Sequence, residues 1–439
     1  MAALAAMKVG AIAVGLNQRM LARELVTLVD DCEPTVVVCD EALLSRLEEV
    51  QQERNTFAIA VFEKDVRPLR EGAHTRFPTP IVEMGDPTAI VFTSGTTGNP
   101  KGVIFTHATI AGEMHEWHLM EPIQPNGLRP LLVLPLFSAA GIIWASRGSS
   151  CTAEHCSSSR IRPRRSSACS ERGQGQHSDR PSDSVRADRQ APGFTESDLS
   201  HMVTAHVGGA RVPVDLLRKW QAQGVALRQI YGQTEIGGSA TAMPRDEAAE
   251  HPDKCGYGGI FTKIRVVDPD GNDLPPNETG QILLRGPGMM PGYWRNEAAT
   301  QEALRDGWLY TGDLGKLDEN GYLTYVDRLK DMIISGGLNI SPAEIETVIN
   351  RIPGVEEVAV ISVPDAKFGE TPAALVRATS EMKESEIVDF CNEQLADYKV
   401  PRYVVFMDEP LPRMPSGKIA KRQLRDAFAN VPDNYEKVR

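Results

Sequence analysis

The stretch Thr93-Ser94-Gly95-Thr96-Thr97-Gly98-Asn99-Pro100-Lys101-Gly102 lies between two runs rich in β-branched and aromatic residues, Thr88-Ala89-Ile90-Val91-Phe92 and Val103-Ile104-Phe105-Thr106. Such runs read as strands, so the stretch is a loop joining two strands of a sheet. Its glycines let the backbone turn N–H groups inward, its hydroxyls add donors, and Lys101 supplies a mobile cation. The combination suits a polyphosphate such as that of ATP. It is not the Walker pattern, because Gly95 and Gly98 are separated by only two residues, Lys101 precedes a glycine, and no helix follows directly. Taken alone, a Ser/Thr/Gly-rich surface turn accounts for the same letters.

A chain of 439 residues is too long for one ordinary core, so two or three domains are expected. A net charge of -12 argues against nucleic acid as a partner and gives no hold on an anionic membrane. Any phosphate site must therefore be local. The alanine-rich opening Met1 to Leu16 has no basic stretch before it and is interrupted by Lys8, so it reads as a buried helix and not as a signal segment. No apolar run reaches the length of a membrane span. The seven cysteines show no repeated spacing, which fits a reducing cytoplasm better than a disulfide framework or a zinc site.

Leu21 to Asp30 and Leu43 to Gln52 read as helices around a buried strand, Thr35-Val36-Val37-Val38-Cys39, the alternation of a layered α/β sheet. Thr109 to Met120 reads as a helix and Leu131-Leu132-Val133-Leu134 as a strand. Val214 to Gln221 is amphipathic and helical, and Val225 to Ile230 is a strand. Phe261 to Gly286 gives paired strands about the Asp270-Gly271 turn, and Glu302 to Gly315 an irregular polar loop. Beyond Asp327-Arg328-Leu329-Lys330, Ser341-Pro342-Ala343-Glu344 has the form of a capping box ahead of the stripe Ile345, Val348, Ile349 and Ile352. Strands at Val358 to Val363 and Ala373 to Ala378, and a second stripe of Ile387, Phe390, Cys391 and Leu395, complete a small α+β domain.

Between Ser146 and Gln190 the pattern breaks. The segment holds 12 Ser, 9 Arg and no Lys, and its only large aliphatic residues are Ile161 and Val185. It cannot bury enough apolar surface to offset the entropy of ordering it, so 146–190 is expected to be disordered. A natural insertion and a basic segment for an anionic partner are two readings. The reading preferred is a pair of compensating frameshifts, near Ser146 and near Gln190, because the segment takes the place of strands and helices that its flanks require. Translating the underlying DNA in its other frames tests this: an apolar α/β pattern in one of them is expected, and its absence in both excludes the idea.

Four further motifs carry chemistry. In Tyr231-Gly232-Gln233-Thr234-Glu235, at a strand end, Glu235 is a hard oxygen ligand suited to Mg2+, Thr234 can donate to a phosphate oxygen, and the Tyr231 ring can lie against a purine. Tyr310-Thr311-Gly312-Asp313 and Asp327-Arg328-Leu329-Lys330-Asp331 offer a carboxylate and an arginine for a sugar. Pro412-Arg413-Met414-Pro415-Ser416-Gly417-Lys418 is a rigid turn presenting a lysine. Singly, each is matched by a bland alternative: an exposed Glu after a strand, a hairpin turn, a solvated charge run, a solvated terminal lysine.

Taken together, and in this order, the five motifs resemble those of the adenylate-forming superfamily, which includes acyl-CoA synthetases, luciferases and the adenylation domains of peptide synthetases. Gly208-Gly209-Ala210-Arg211 and Arg285-Gly286-Pro287-Gly288-Met289-Met290-Pro291-Gly292-Tyr293-Trp294 look like further landmarks. Ile333-Ile334-Ser335-Gly336-Gly337-Leu338-Asn339-Ile340 is similar to acyl-CoA synthetases more than to peptide-synthetase domains.

The resemblance implies an α/β fold class: a large layered adenylation domain, 1–327, incomplete at its N terminus, and a small mobile α+β domain, 328–439. It implies that a carboxylic acid, with a fatty acid as the expected class, attacks ATP to give an acyl-adenylate, and that the thiol of CoA then displaces AMP. Thr93, Ser94, Gly95, Thr96, Thr97, Gly98 and Lys101 would hold the outer phosphates, Thr96 and Glu235 the Mg2+, and Thr234 the α-phosphate. Gly209, Ala210 and Tyr231 would line the adenine, Gly232 would belong to the same nucleotide site, and Asp313 and Arg328 would hold the ribose. Lys418 would bridge carboxylate and α-phosphate, Lys330 would be the hinge, and Gly336 and Gly337 would reach the CoA channel.

The family commonly has His where this chain has Ser138, and Glu where it has Gln281. The alternatives carried forward are an inactive remnant and an enzyme loading a carrier protein. A homo-oligomer fits the sequence as well as a monomer does.

Overall fold

The computed structural model describes residues 2–71, 80–93, 100–120, 130–132, 135, 137–143, 177–181, 194–200, 202, 204–209, 212, 214–414 and 418–439. Of the residues singled out above, Ser94, Gly95, Thr96, Thr97, Gly98, Asn99, Ala210, Arg211, Pro415, Ser416 and Gly417 lie outside them, as does most of 146–190.

The polyphosphate stretch is bracketed as its flanks require. Strand Pro87–Thr93 pairs antiparallel with Lys101–Thr106, with Thr93 opposite Lys101, and runs parallel to the short strand Ala13–Val14. Ala89, Ile90, Val91, Val103 and Phe105 are buried, so these strands form continuous apolar runs inside the large lobe's core. Ile90, Val91, Val103 and Phe105 each contribute about 1.5–3 kcal/mol on leaving water. Helix His107–Met120 follows the second strand directly.

The largest sheet has the order Tyr257–Gly258, Thr241–Ala242, Leu227–Tyr231, Thr204–Gly208, His177–Pro181 and Pro130–Leu132. Its last four strands are parallel. A third, antiparallel sheet joins Lys263–Val267, Gly280–Arg285, Trp308–Leu317, Leu304–Arg305 and Leu323–Arg328.

The small lobe has cores built only from residues beyond 332. Strand Gly369–Ala378 is central, flanked by Val355–Asp365, by Tyr403–Phe406 and by the end of Ile333–Ser335. Helix Pro342–Ile349 covers one face, capped by Ser341 Oγ, which accepts from Glu344 N.

Several expectations are corrected. The opening is a short helix, Ala2–Lys8, in which Met7 alone is buried, because its alanines present little apolar surface to the core. The strand Val36–Cys39 is only half covered: Val36 is 53% and Val38 42% exposed, since its one partner, Ala58–Val61, leaves it in a two-stranded sheet. Glu302 to Gly315 is not one irregular loop. Its second half belongs to the strand Trp308–Leu317, whose pairing with Gly280–Arg285 is interrupted at 311–313, where Gly312 takes φ +69° and Asp313 meets Tyr231. The capping box is half formed, because Glu344 takes Lys399 Nζ at 2.7 and 2.8 Å instead of turning back on Ser341. Within 146–190, residues His177–Pro181 form a strand between Pro130–Leu132 and Thr204–Gly208, so this part is ordered by its neighbours' backbones.

Candidate active site

Three strands and one turn bring the site together. Leu227–Tyr231 delivers Tyr231 at its C-terminal end, Trp308–Leu317 delivers Asp313, and Leu323–Arg328 delivers Arg328 directly opposite Asp313 in the ladder. Tyr231 Oη donates to Asp313 Oδ2 at 2.9 Å, and Arg328 Nε lies 3.7 Å from Asp313 Oδ1. Burial raises the Asp313 pKa against the pull of Arg328. The Tyr231 ring is itself buried and stands 5.9 Å from that of Tyr325. Tyr231 thus orients the carboxylate expected to take the ribose, a duty that the letters alone did not disclose.

After Tyr231 the chain makes a tight excursion. A Cβ on Gly232 would stand 2.6 Å from Gly238 O and 2.7 Å from Ser239 Cα, so only glycine allows the two passes of backbone to approach. Thr234 and Glu235 lie on the intervening 3-10 turn, Thr234–Ile236, which closes on Gly237 at φ +88°. Glu235 Oε1 accepts from Tyr293 Oη at 2.9 Å, and Glu235 O accepts from Met290 N at 2.9 Å. Packing around the Glu235 carboxyl raises its pKa. A divalent cation would relieve that cost, and a carboxylate is the right donor for Mg2+. Glu235 therefore fits a magnesium ligand in charge and donor type.

Lys101, at the exit of the polyphosphate stretch, places Nζ 5.1 Å from the centroid of the Tyr293 ring. Thr93 Oγ1 donates to Lys101 O at 3.3 Å, closing the neck of the loop. Gly209 follows strand Thr204–Gly208 with φ +84° and is exposed.

From the other lobe comes Lys418. It lies close enough to Arg328, Asp313 and Glu235 to feel all three charges. Burial, with help from Arg328, pushes its amine down to about 8, and the two carboxylates oppose the shift. The chain from Arg328 to Lys418 is anchored at both ends. Asp327 Oδ2 accepts from Ser341 Oγ at 2.7 Å and Ala343 N at 2.9 Å, and Asp331 pairs with Arg425, one helical stretch past Lys418, at 2.8 Å. Lys330 lies between these two anchors on the 3-10 turn Leu329–Asp331.

Gly336 (φ +58°) and Gly337 (φ +82°) form the two-residue turn between Ile333–Ser335 and Leu338–Ile340. Two positive φ values are what such a hairpin needs, so their presence is explained by the turn alone. The structure links Tyr231, Asp313, Arg328 and Lys418, and, through Tyr293, Glu235 and Lys101. Ser138 is occupied elsewhere: its Oγ donates to Pro135 O at 2.7 Å and accepts from Gly141 N at 3.1 Å, capping the helical residues 139–143.

Two groups escaped sequence reasoning. Tyr293 was quoted only as part of a landmark. Glu113 is 1% exposed on helix His107–Met120, accepts from Trp117 Nε1 at 3.0 Å, and backs onto Gly237 and Gly288. Burial pushes its carboxyl up to about 8. Its companion Glu116 accepts from Phe261 N, Thr262 N and Thr262 Oγ1 and fastens the helix to that loop. Acids at 113 and 116 on the same face as Ile110 and Trp117 were the available signal.

Residues 1–294 match the family described as AMP-binding enzyme, and residues 344–418 match the AMP-binding enzyme C-terminal domain. A long-chain-fatty-acid–CoA ligase, FadD13 of Mycobacterium tuberculosis, is 34% identical over 97% of this chain and 85% of its own length. A feruloyl-CoA synthase from Amycolatopsis is 36% identical over 79% of this chain and 71% of its own. Among solved structures, ATP-bound MatB from Rhodopseudomonas palustris superposes with a TM-score of 0.88 at 30% identity, covering 98% of this chain and 86% of that one.

Proposed function

From the premise that this chain belongs to the AMP-binding enzyme family, as the matches over both lobes establish, we propose that it is an acyl-CoA synthetase of the AMP-forming type. It joins a carboxylic acid to AMP with release of pyrophosphate and then passes the acyl group to the thiol of CoA. The observation that carries the reading is the convergence of Lys418, from the small lobe, on Asp313, Arg328 and Glu235 of the large one.

Each residue's part follows from its chemistry. Lys101 and the hydroxyl-rich stretch before it hold the outer phosphates, and Thr234 donates to the α-phosphate. Asp313, set by Tyr231, accepts from the ribose hydroxyls, and Arg328 sits beside it on the same sugar. Glu235, with Thr96 expected to help, would hold Mg2+, whose chemistry is to neutralise charge on the phosphate oxygens. Lys418 would bridge carboxylate and α-phosphate and stabilise the negative charge that builds there. The lobes divide at 327/328, with Lys330 as the hinge about which Lys418 is withdrawn before CoA arrives.

We take a fatty acid as the substrate class, on the likeness to the long-chain-fatty-acid–CoA ligase; the likeness to the feruloyl-CoA synthase makes an aromatic acid the competitor. The test is pyrophosphate exchange dependent on each class of acid, followed by CoA or a carrier protein as acceptor. Lys418→Ala is expected to lower adenylate formation by about 10²–10³-fold while sparing thioester formation from supplied acyl-adenylate. Equal loss of both steps would overturn the assignment. A second reading, a chain that binds ATP without turning over, is favoured by the polar sequence His177-Ser178-Asp179-Arg180-Pro181 in an interior strand. ATP binding without any exchange would establish it.

A further inference from the structure

The segment Gly292–Trp294 is laid as a short extra strand against the exit of the polyphosphate stretch. Trp294 N donates to Gly102 O at 2.7 Å, Ile104 N donates to Gly292 O at 3.2 Å, and Val103 faces Tyr293 across an antiparallel bridge. The approach is possible because residue 102 is glycine: a Cβ there would stand 2.8 Å from Ile90 Cγ2 and 3.2 Å from Trp294 Cβ. Tyr293 N donates to Thr300 Oγ1 at 2.9 Å, which in turn donates to Asn296 O, at the cap of helix Glu297–Ala303. Tyr293 therefore has a fixed backbone on both sides. From this platform its hydroxyl reaches Glu235 Oε1 at 2.9 Å while its ring carries the Lys101 ammonium 5.1 Å from the centroid.

We infer that Tyr293 is a positioning residue that holds the magnesium carboxylate Glu235 and the loop cation Lys101 at one spacing. The inference rests on the proposed function, because it takes Glu235 as the metal ligand. Lys101 and Glu235 carry opposite charge, and among the described residues they form no ion pair. Were they to pair directly, each would neutralise the other and neither would be free for metal or phosphate. Tyr293 satisfies both without joining them. Its hydroxyl gives one carboxylate oxygen a donor and leaves the other for a cation, and its π face holds the ammonium without removing its charge. The hydroxyl and the ring therefore have separable duties.

The experiment compares the parent chain with Tyr293→Phe, Tyr293→Leu and Glu235→Gln by calorimetric titration of ATP, with Mg2+ and again in EDTA, alongside thermal melts. Tyr293→Phe keeps ring and packing, so it is expected to melt close to the parent, bind ATP in EDTA as the parent does, and lose about tenfold of the affinity gained from Mg2+. Tyr293→Leu is expected to weaken ATP in EDTA as well, because Lys101 is then released. A Tyr293→Phe chain that keeps the full magnesium gain, loses affinity equally in both buffers, or melts far below the parent overturns the inference. Glu235→Gln separates the two levels. If it keeps the full magnesium gain, the metal assignment fails and takes this inference with it. If it loses the gain while Tyr293→Phe does not, only the inference fails.

Discussion

Two interior strands in this molecule occupy equivalent positions and differ sharply in sequence. In the small lobe, Gly369–Ala378 has strand neighbours on both sides, and Ala373, Ala374, Leu375 and Val376 are each 0% exposed. In the large lobe, His177–Pro181 lies between parallel strands on both sides, in register with Pro130–Leu132 and Thr204–Gly208, yet reads His-Ser-Asp-Arg-Pro. Its neighbour Thr204–Gly208 contributes Ala205 and Val207 to a core, the ordinary behaviour of a parallel strand. The comparison separates two things that usually travel together. Backbone pairing uses N–H and C=O groups that every residue but proline carries, so a polar pentapeptide can complete a ladder with only Pro181 bringing no donor. A core is not indifferent, and a strand placed between two parallel neighbours ordinarily carries the apolar residues that this pentapeptide lacks.

The largest effect should come from making the sound strand resemble the unsound one. Ala374→Asp places a carboxylate between Val360 and Val404 and is expected to remove about 4 kcal/mol or more, unfolding the small lobe and with it all acyl-CoA formation. Chemical denaturation followed by limited proteolysis would read this out; a small lobe that stays protected would break the comparison.

A smaller effect sharpens the same contrast at a polar group that the fold does accommodate. The buried Glu113 carboxyl, raised to about 8, keeps in the folded chain a proton that the unfolded chain releases near its ordinary value of 4.5. The folded state thus binds more protons between those limits, so stability falls as pH rises from about 4.5 to 8 and levels off above. Glu113→Gln, which can still accept from Trp117, should flatten that decline and be the more stable form at pH 8 by about 1–3 kcal/mol, measured as denaturation midpoints across pH. Parallel pH profiles for the two proteins would refute it.

Much of the framework was legible because it is local. The strand–loop–strand about Thr93 to Lys101, helix Val214–Gln221, the stripe of Ile345, Val348 and Ile349, and the cap at Ser341 each follow from residues within a turn or two of one another. The errors were local too, but of a kind that context decides. Val36 and Val38 have strand-forming side chains in either setting, and among the described residues they sit in a two-stranded sheet that leaves them exposed. The strand holding Asp313 looked irregular in part because it is: its ladder is interrupted at 311–313 around Gly312, and the polar residues there break the apolar pattern that would have announced the rest as a strand.

The order and chemistry of the motifs were set by the letters alone, since glycine, hydroxyl, carboxylate and lysine have fixed capacities wherever they stand. The contacts that turn motifs into a site were not. Tyr231 and Asp313 are 82 residues apart, Tyr293 and Glu235 are 58 apart, and Lys418 approaches both carboxylates from a separate lobe. Hydrogen bonds and charges act over a few ångströms, and which distant side chains come within that range is decided only when strands pair and lobes meet.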